Sequence, residues 1–280
     1  MKGGTAINLF VQDMPRLSVD IDVVYLPIDS PRGEAIQEIT AEINLIRKRI
    51  EKWGFSTRFK NSGAEEEPTL FVEDDQNQVK VEVNVFFRGT IFPITTRSLS
   101  PKTAQMFSIT IDAPVLDEAE LYGSKIVAAL DRQHPRDLFD VLKLYQQGGL
   151  TQNILEAFVI YLAGHNRPIH EVLFGSDKDI AKSYANSFEG MIFGESPSLT
   201  MLLELRTRLR SDILSLLTDH QRDFLVGLAL AKPNWSLLDC QHASRLPGLR
   251  WKMLNLEKFQ KSRPADFARH AEALRRLLGR

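Results

Sequence analysis

Apolar residues recur along this chain with two different periods, and the change of period divides it near residue 115. In the first part Val79, Val81, Val83 and Val85 alternate with Lys80, Glu82 and Asn84, the period of a strand with one buried face. Further strands are expected over 56–60, 69–73 and 106–111, the last from alternating Phe107, Ile109 and Ile111. Between Pro31 and Trp53 the series Ile36, Ile39, Ile43, Ile46, Ile50 follows the helical i, i+3, i+4 rule and predicts one amphipathic helix ended by Gly54. After Asp117 the pattern is helical throughout, with helices expected over 117–131, 136–147, 151–164, 177–188, 198–217, 219–231 and 265–278. Gly148-Gly149, Pro168, 194–197 and Pro233 supply the breaks. The expected fold is α+β: a mixed sheet with helices over 1–115, then an all-helical domain over 116–280.

Composition adds bounds. With 43% hydrophobic and 25% charged residues the 280-residue chain has globular statistics and length for one large or two smaller domains. No apolar run approaches a membrane span and no secretory signal precedes Gly3, so the cytoplasm is the default compartment and no membrane is expected as a partner. A single cysteine, Cys240, excludes an intrachain disulfide framework and a cysteine-rich zinc site. The formal net charge of −1 gives no global attraction to nucleic acid. Local basic clusters at 47–52, 206–210 and 245–252 are most simply solvated helix faces. The six histidines are scattered, lack a metal-ligand spacing and read as structural or surface residues.

The chemistry concentrates near the N-terminus. Asp20 and Asp22 lie two apart in an apolar stretch, so a strand there puts both carboxylates on one face while Val19, Ile21 and Val23 turn to the other. Paired acids of this kind invite a divalent cation. Upstream, Gly3-Gly4-Thr5 precedes a segment able to start a helix, an arrangement that lets backbone N–H groups approach a phosphate. A third oxygen ligand is expected on a neighbouring strand, where Glu82 is the candidate. Taken singly, Gly-Gly-Thr is more often an ordinary turn, Asp-x-Asp a wet strand edge and Glu82 a solvated charge. The acidic clusters at 65–67 and 73–75 read as solvated turns without a role.

Gly3-Gly4-Thr5, Asp20-Ile21-Asp22 and Val81-Glu82-Val83, in that order, resemble the signature of the DNA polymerase beta nucleotidyltransferase superfamily. The stretch 121–140, LYGSKIVAALDRQHPRDLFD, is similar to the AbiEii/AbiGii branch, the nucleotidyltransferase-like toxins of bacterial toxin–antitoxin systems. The resemblance implies a catalytic domain over 1–115 and a helical domain over 116–280 that completes the cleft and contacts the acceptor. It implies Asp20 and Asp22 as ligands of Mg²⁺, Glu82 as a third and less uniform ligand, and Ser18 as the small hydroxyl residue before them. Gly3, Gly4 and Thr5 then form the phosphate turn, Lys125 contacts the nucleotide, and Asp137 is the acid after the motif's Arg136. A Lys at 125 would otherwise snorkel from an apolar helix face, and Asp137 would be a helix-start acid or would order the site without touching nucleotide.

The implied substrate is a nucleoside triphosphate and the implied acceptor a tRNA 3′ end, with an antitoxin partner that relieves growth arrest. A protein hydroxyl as acceptor and a catalytically inactive binding module are the alternatives. One departure from the family is expected to matter: its usual apolar strand leading into the glycine turn is not in this sequence, where only Met1 and Lys2 precede Gly3. Its lack would expose backbone on the strand of Asp20 or its neighbour and loosen the turn.

Overall fold

The computed structural model describes residues 1–18, 20–60 and 68–280. Val19, expected on the strand face opposite the two acids, and residues 61–67 of the polar turn expected over 61–68 lie outside the described residues. The chain divides into two compact units, Met1–Leu116 and Asp117–Arg280.

The first unit begins with a helical turn, α1 (Gly3–Ala6), that widens into a π-helical turn over Ile7–Val11 and buries Ala6, Ile7 and Phe10. A four-stranded sheet follows, built from β1 (Asp20–Val24), β2 (Ser56–Lys60), β3 (Thr69–Glu73) and β4 (Gln78–Asn84) in the order β1-β4-β3-β2. β1 runs parallel to β4, which requires a long crossover; helix α2 (Arg32–Lys52) and the β2–β3 pair provide it. The other two pairings are antiparallel.

Strand alternation decides what each face does. Val81, Val83 and Val85 point to the face covered by α2, where they pack with Ile39, Ile43 and Leu70. Full burial of an aliphatic side chain is worth about 1.5–3 kcal/mol, so this cluster anchors the sheet to the helix. Of the isoleucine series read from the sequence, Ile36, Ile39, Ile43 and Ile50 make the contact stripe of α2 while Ile46 is exposed, and Gly54 at φ +90° takes the left-handed turn that ends the helix.

One strand expectation fails here. Residues 106–111 do not form a strand: Pro101–Phe107 is helix α3, and Ser108 leaves it in a left-handed conformation. Pro101 is preorganised for the first helical turn, and the Ser100 and Thr103 hydroxyls, 2.7 Å apart, tie that turn together. The alternating Phe107, Ile109 and Ile111 are exposed rather than facing a core. The unit's second sheet is instead the antiparallel pair β5 (Thr95–Ser98) and β6 (Asp112–Val115).

The second unit is helical: α4 (Glu118–Arg132), α5 (Pro135–Gln146), α6 (Gln152–Ala163), α7 (Ile169–Phe174), α8 (Ala181–Ser187), α9 (Leu199–Leu216), α10 (Asp219–Ala229), α11 (Pro247–Ser262) and α12 (Pro264–Leu277). Helix α6 is buried continuously from Ile154 to Ala163; the run is apolar except for Glu156, which accepts from Asp239 N (2.8 Å) and Cys240 N (3.2 Å). It packs on α4 at Gly123, where an added Cβ would lie 2.6 Å from Ala157 Cβ and 2.7 Å from Phe158 N. Only glycine admits that approach.

Side-chain caps explain several boundaries. Asp117 accepts from Ala119 N at the start of α4, and Thr218 with Gln221 forms a reciprocal capping box on α10. The helix expected over 177–188 is shortened because the Asp179 carboxylate takes Ala181 N into a local turn before α8. Helices α7 and α11 were not expected. α11 is held by Lys252, whose Nζ donates to the carbonyls of His165 (2.7 Å) and Arg167 (3.1 Å), while burial lowers its pKa to about 8. Among the described residues no helix is long and apolar enough to cross a membrane.

Candidate active site

Beside β1, the first residues of the chain fold into a tight corner. Lys2 N donates to the Asp22 carbonyl (2.9 Å), an isolated antiparallel bridge on the open edge of β1. Gly3 then turns at φ +77°, a conformation that favours glycine, and its missing side chain matters a second time: a Cβ there would overlap the Asp22 carboxylate. Gly4 is less confined: a Cβ would stand 2.7 Å from Arg16 Nη2, the far end of a flexible side chain, and 3.4 Å from Ser18 Oγ. The hydroxyl of Thr5 donates to the Asp20 carbonyl, so in its 2.8 Å contact with Ser18 the serine is the donor. Gly3, Gly4, Thr5, Ser18, Asp20 and Asp22 are therefore brought together. Arg16, 3% exposed and donating from Nη1 to the Leu17 carbonyl (2.8 Å), belongs to the same corner. Sequence reasoning gave it no role, although a basic residue four before an Asp-x-Asp strand was the available signal.

The parallel register sets Asp20 beside Lys80 and Asp22 beside Glu82, so these four side chains share the sheet face opposite α2. All four are half-buried. Lys80 Nζ stands 2.8 Å from Glu82 Oε2, and its pKa is raised by that hydrogen bond, against a smaller loss from burial, with the fields of Asp20 and Asp22 adding. The three carboxylates lie on adjacent strands, but their ligand oxygens do not all come within 4.8 Å of one another. The ammonium of Lys80, which the sequence reading left as an ordinary strand residue, is the local counter-charge.

In the helical unit, Lys125 does not snorkel. It is 8% exposed, and its Nζ lies 2.9 Å from Asp137 Oδ1 and 3.1 Å from Asp140 Oδ2. Arg132 closes on Asp137 from the other side at 2.9 Å. Burial alone would push the Asp137 carboxyl up, but Lys125 and Arg132 outweigh it and hold it below the usual carboxylate range. Pro135 opens α5 and places Asp137 in its first turn, with the His134 ring nitrogen capping Arg136 N (3.2 Å). Asp140, one turn on, completes the network; the sequence reading omitted it although it ends the Arg-Asp-Leu-Phe-Asp run.

Other charged features have structural explanations. Asp74 takes the N–H groups of Gln76 and Asn77 into a turn, which accounts for part of the 73–75 cluster. Of the basic cluster at 206–210, Arg206 is buried against Asp177, Gln133 and the Lys178 carbonyl, so it does not face solvent.

A mixed sheet with a helix on one face, the Asp-x-Asp side chains on the other and a glycine corner beside them is the arrangement expected of a nucleotidyltransferase, and the family match supplies that class. The chain belongs to the AbiEii nucleotidyl transferase toxin family of type IV toxin–antitoxin systems, whose family model matches residues 1–239. Among solved structures it is similar to MenT4, a nucleotidyltransferase toxin from Mycobacterium tuberculosis H37Rv, with a TM-score of 0.59 over 91% of this chain and 83% of that one. At 14% identity this is a likeness of fold. No curated protein matches the chain. The protein is accordingly an enzyme, a nucleotidyltransferase toxin; its family implies a nucleoside triphosphate, a divalent metal and an antitoxin partner.

Proposed function

We propose that this toxin transfers a nucleotide from a nucleoside triphosphate to the hydroxyl of an RNA acceptor, a tRNA 3′ end, with Mg²⁺ as the metal, and that an antitoxin relieves the resulting growth arrest. The observation that carries the reading is the packing of Gly3 against the Asp22 carboxylate, which leaves no room for any side chain between the turn and the acid pair. The donor set fits the ion: hard carboxylate oxygens from Asp20 and Asp22, half-buried and therefore reachable. Mg²⁺, when bound, offsets charge that develops on the attacking and leaving oxygens of an in-line displacement.

The residues themselves bind and orient. Gly3, Gly4 and Thr5 bring main-chain N–H groups toward the triphosphate, while the Thr5–Ser18 hydroxyl pair fixes the corner to β1. Glu82 supplies a third carboxylate once it parts from Lys80. In the helical unit Lys125 is assigned to the nucleotide as a compact positive charge once it parts from Asp140, and Asp137 to setting its position. Acceptor choice is assigned to residues 116–280.

Incubating the purified protein with each of the four radiolabelled triphosphates, Mg²⁺ and total tRNA, beside Asp22→Asn, tests this. Label is expected in RNA in one lane with the wild type and in none with the variant. Label reaching protein instead of RNA, or transfer that survives Asp22→Asn, overturns the reading.

A further inference from the structure

The histidines, scattered in sequence, are not all scattered in space. His170 at the start of α7 and His270 in the middle of α12 meet with ring centroids 5.0 Å apart and planes at 71°, and Glu171 stands beside them. One ligand atom from each of the three lies within 4.8 Å of the other two. Two imidazoles and a carboxylate are the donors a divalent transition metal prefers, and with a water in the fourth position they match a three-ligand zinc site.

A second observation points the same way. Nδ1 of His270 is buried and has no hydrogen-bond partner among the described residues. A buried ring nitrogen without a partner is costly as it stands, and metal coordination would satisfy it. Phe259 packs edge-on against the same ring, centroids 5.7 Å apart, and so limits its orientation. Glu171 Oε2 is 3.2 Å from Arg167 Nη2, the kind of outer contact that orients a ligating carboxylate.

The geometry points to a metal clasp at His170, Glu171 and His270 that takes Zn²⁺ or a similar borderline divalent ion and fastens α12 to α7. Tetrahedral ligation at about 2.0–2.1 Å needs donor atoms about 3.3 Å apart, so the side chains close by rotation from their present spacing. The clasp joins a helix inside the family-matched segment to one beyond it, since the match ends at residue 239. It is independent of the acid pair and of the reaction assigned to it.

The test uses the full chain carrying Asp20→Asn and Asp22→Asn, so that the acid face contributes no cobalt or zinc of its own. Titration with Co²⁺ is expected to give one equivalent with the intense visible absorption of a tetrahedral N/O site, displaced by Zn²⁺. Zn²⁺ at a hundredfold excess over its dissociation constant is expected to raise the melting temperature by roughly 5–10 °C, reversed by a chelator. In that background His270→Gln and His170→Ala should each abolish the band and the shift while the far-ultraviolet circular dichroism stays unchanged; Arg167→Gln, which removes the outer contact to Glu171, should weaken binding about 10- to 100-fold. Binding no tighter than millimolar in the parent, or a band that persists in either histidine variant, overturns the clasp. If one variant fails to fold, the other, together with the parent titration, decides.

Discussion

The acid face of the sheet and the ion network around Lys125 are both carboxylate-rich, yet they solve opposite problems. Asp20, Asp22 and Glu82 stand half-buried on two adjacent strands with Lys80 as their nearby cation. Asp137 and Asp140 are sealed, 4% and 1% exposed, and Lys125 and Arg132 neutralise them at contact distance. Like charges gathered at a reachable surface cost stability but can be offset by a metal; buried charges survive only if the protein supplies the partner. A neutralising substitution therefore does different damage in the two places.

The largest effect is expected on the acid face. Asp20→Ala should lower Mg²⁺-dependent transfer by about 10³-fold or more, about 4 kcal/mol of barrier, because the acid pair is the proposed metal seat. The same variant should melt within about 0.5 kcal/mol of wild type, or slightly higher, since it removes a like charge beside Asp22. Single-turnover labelling and thermal denaturation measured on one preparation check both halves. A loss of several kcal/mol in stability would break the contrast.

Next comes Lys125→Ala, expected to cost about 3–5 kcal/mol of stability as well as activity, because it removes the buried cation that Asp137 and Asp140 share and leaves Asp137 to Arg132 alone. Denaturant unfolding reads the first and labelled-nucleotide transfer the second. A variant with full stability would mean that Asp137 and Asp140 find other partners. Below it stands Gly123→Ala at the α4–α6 contact, where the added methyl meets backbone atoms under 3 Å away and should cost about 1–3 kcal/mol.

The network also sets an acid limit. Asp137 is held below the usual carboxylate range in the folded state, so its contribution is complete above the unfolded value of about 3.9 and is lost as pH falls through the lower folded one. Melting temperature should drop on going from pH 5 to pH 2, and Asp137→Asn, less stable at pH 7, should show a shallower drop in that window. Equal slopes for both proteins would remove Asp137 from the account.

Which of these features the sequence revealed depended on how local they were. The valine alternation and the isoleucine stripe of α2 were legible because each element carries its own period, and they fixed the face on which Asp20, Asp22 and Glu82 stand. Residues 106–111 misled because alternation over six positions does not distinguish a strand from the end of a Pro-initiated helix. α11 escaped because its apolar positions are mixed with Arg and Lys that read as a basic patch, whereas Lys252 turns inward to two carbonyls. Asp140 and Lys80 escaped for another reason. Lys80 shares a face with Glu82 by the strand period alone, but its place beside Asp20 exists only once β1 lies on β4, and Asp140 meets Lys125 only once α5 lies on α4. The meeting of His170 with His270, a hundred positions apart, is the extreme case.

The smallest expected effect tests the acid face from inside. Lys80→Met keeps much of the side chain's length and its apolar stem, leaves the valine face of β4 untouched and removes the ammonium that Glu82 now holds at 2.8 Å. If that ammonium competes with a divalent ion for the same carboxylates, the variant should bind Mn²⁺, a spectroscopic stand-in for Mg²⁺, about three- to tenfold more tightly, close to 1 kcal/mol. Glu82→Gln should reverse most of the gain, whereas in wild type it should change affinity little, since there Glu82 is already occupied. Electron paramagnetic resonance titration of the four proteins separates the cases. Weaker binding in Lys80→Met would instead assign Lys80 to orienting Glu82, and the sheet face would then resemble the buried network more than its exposure suggests.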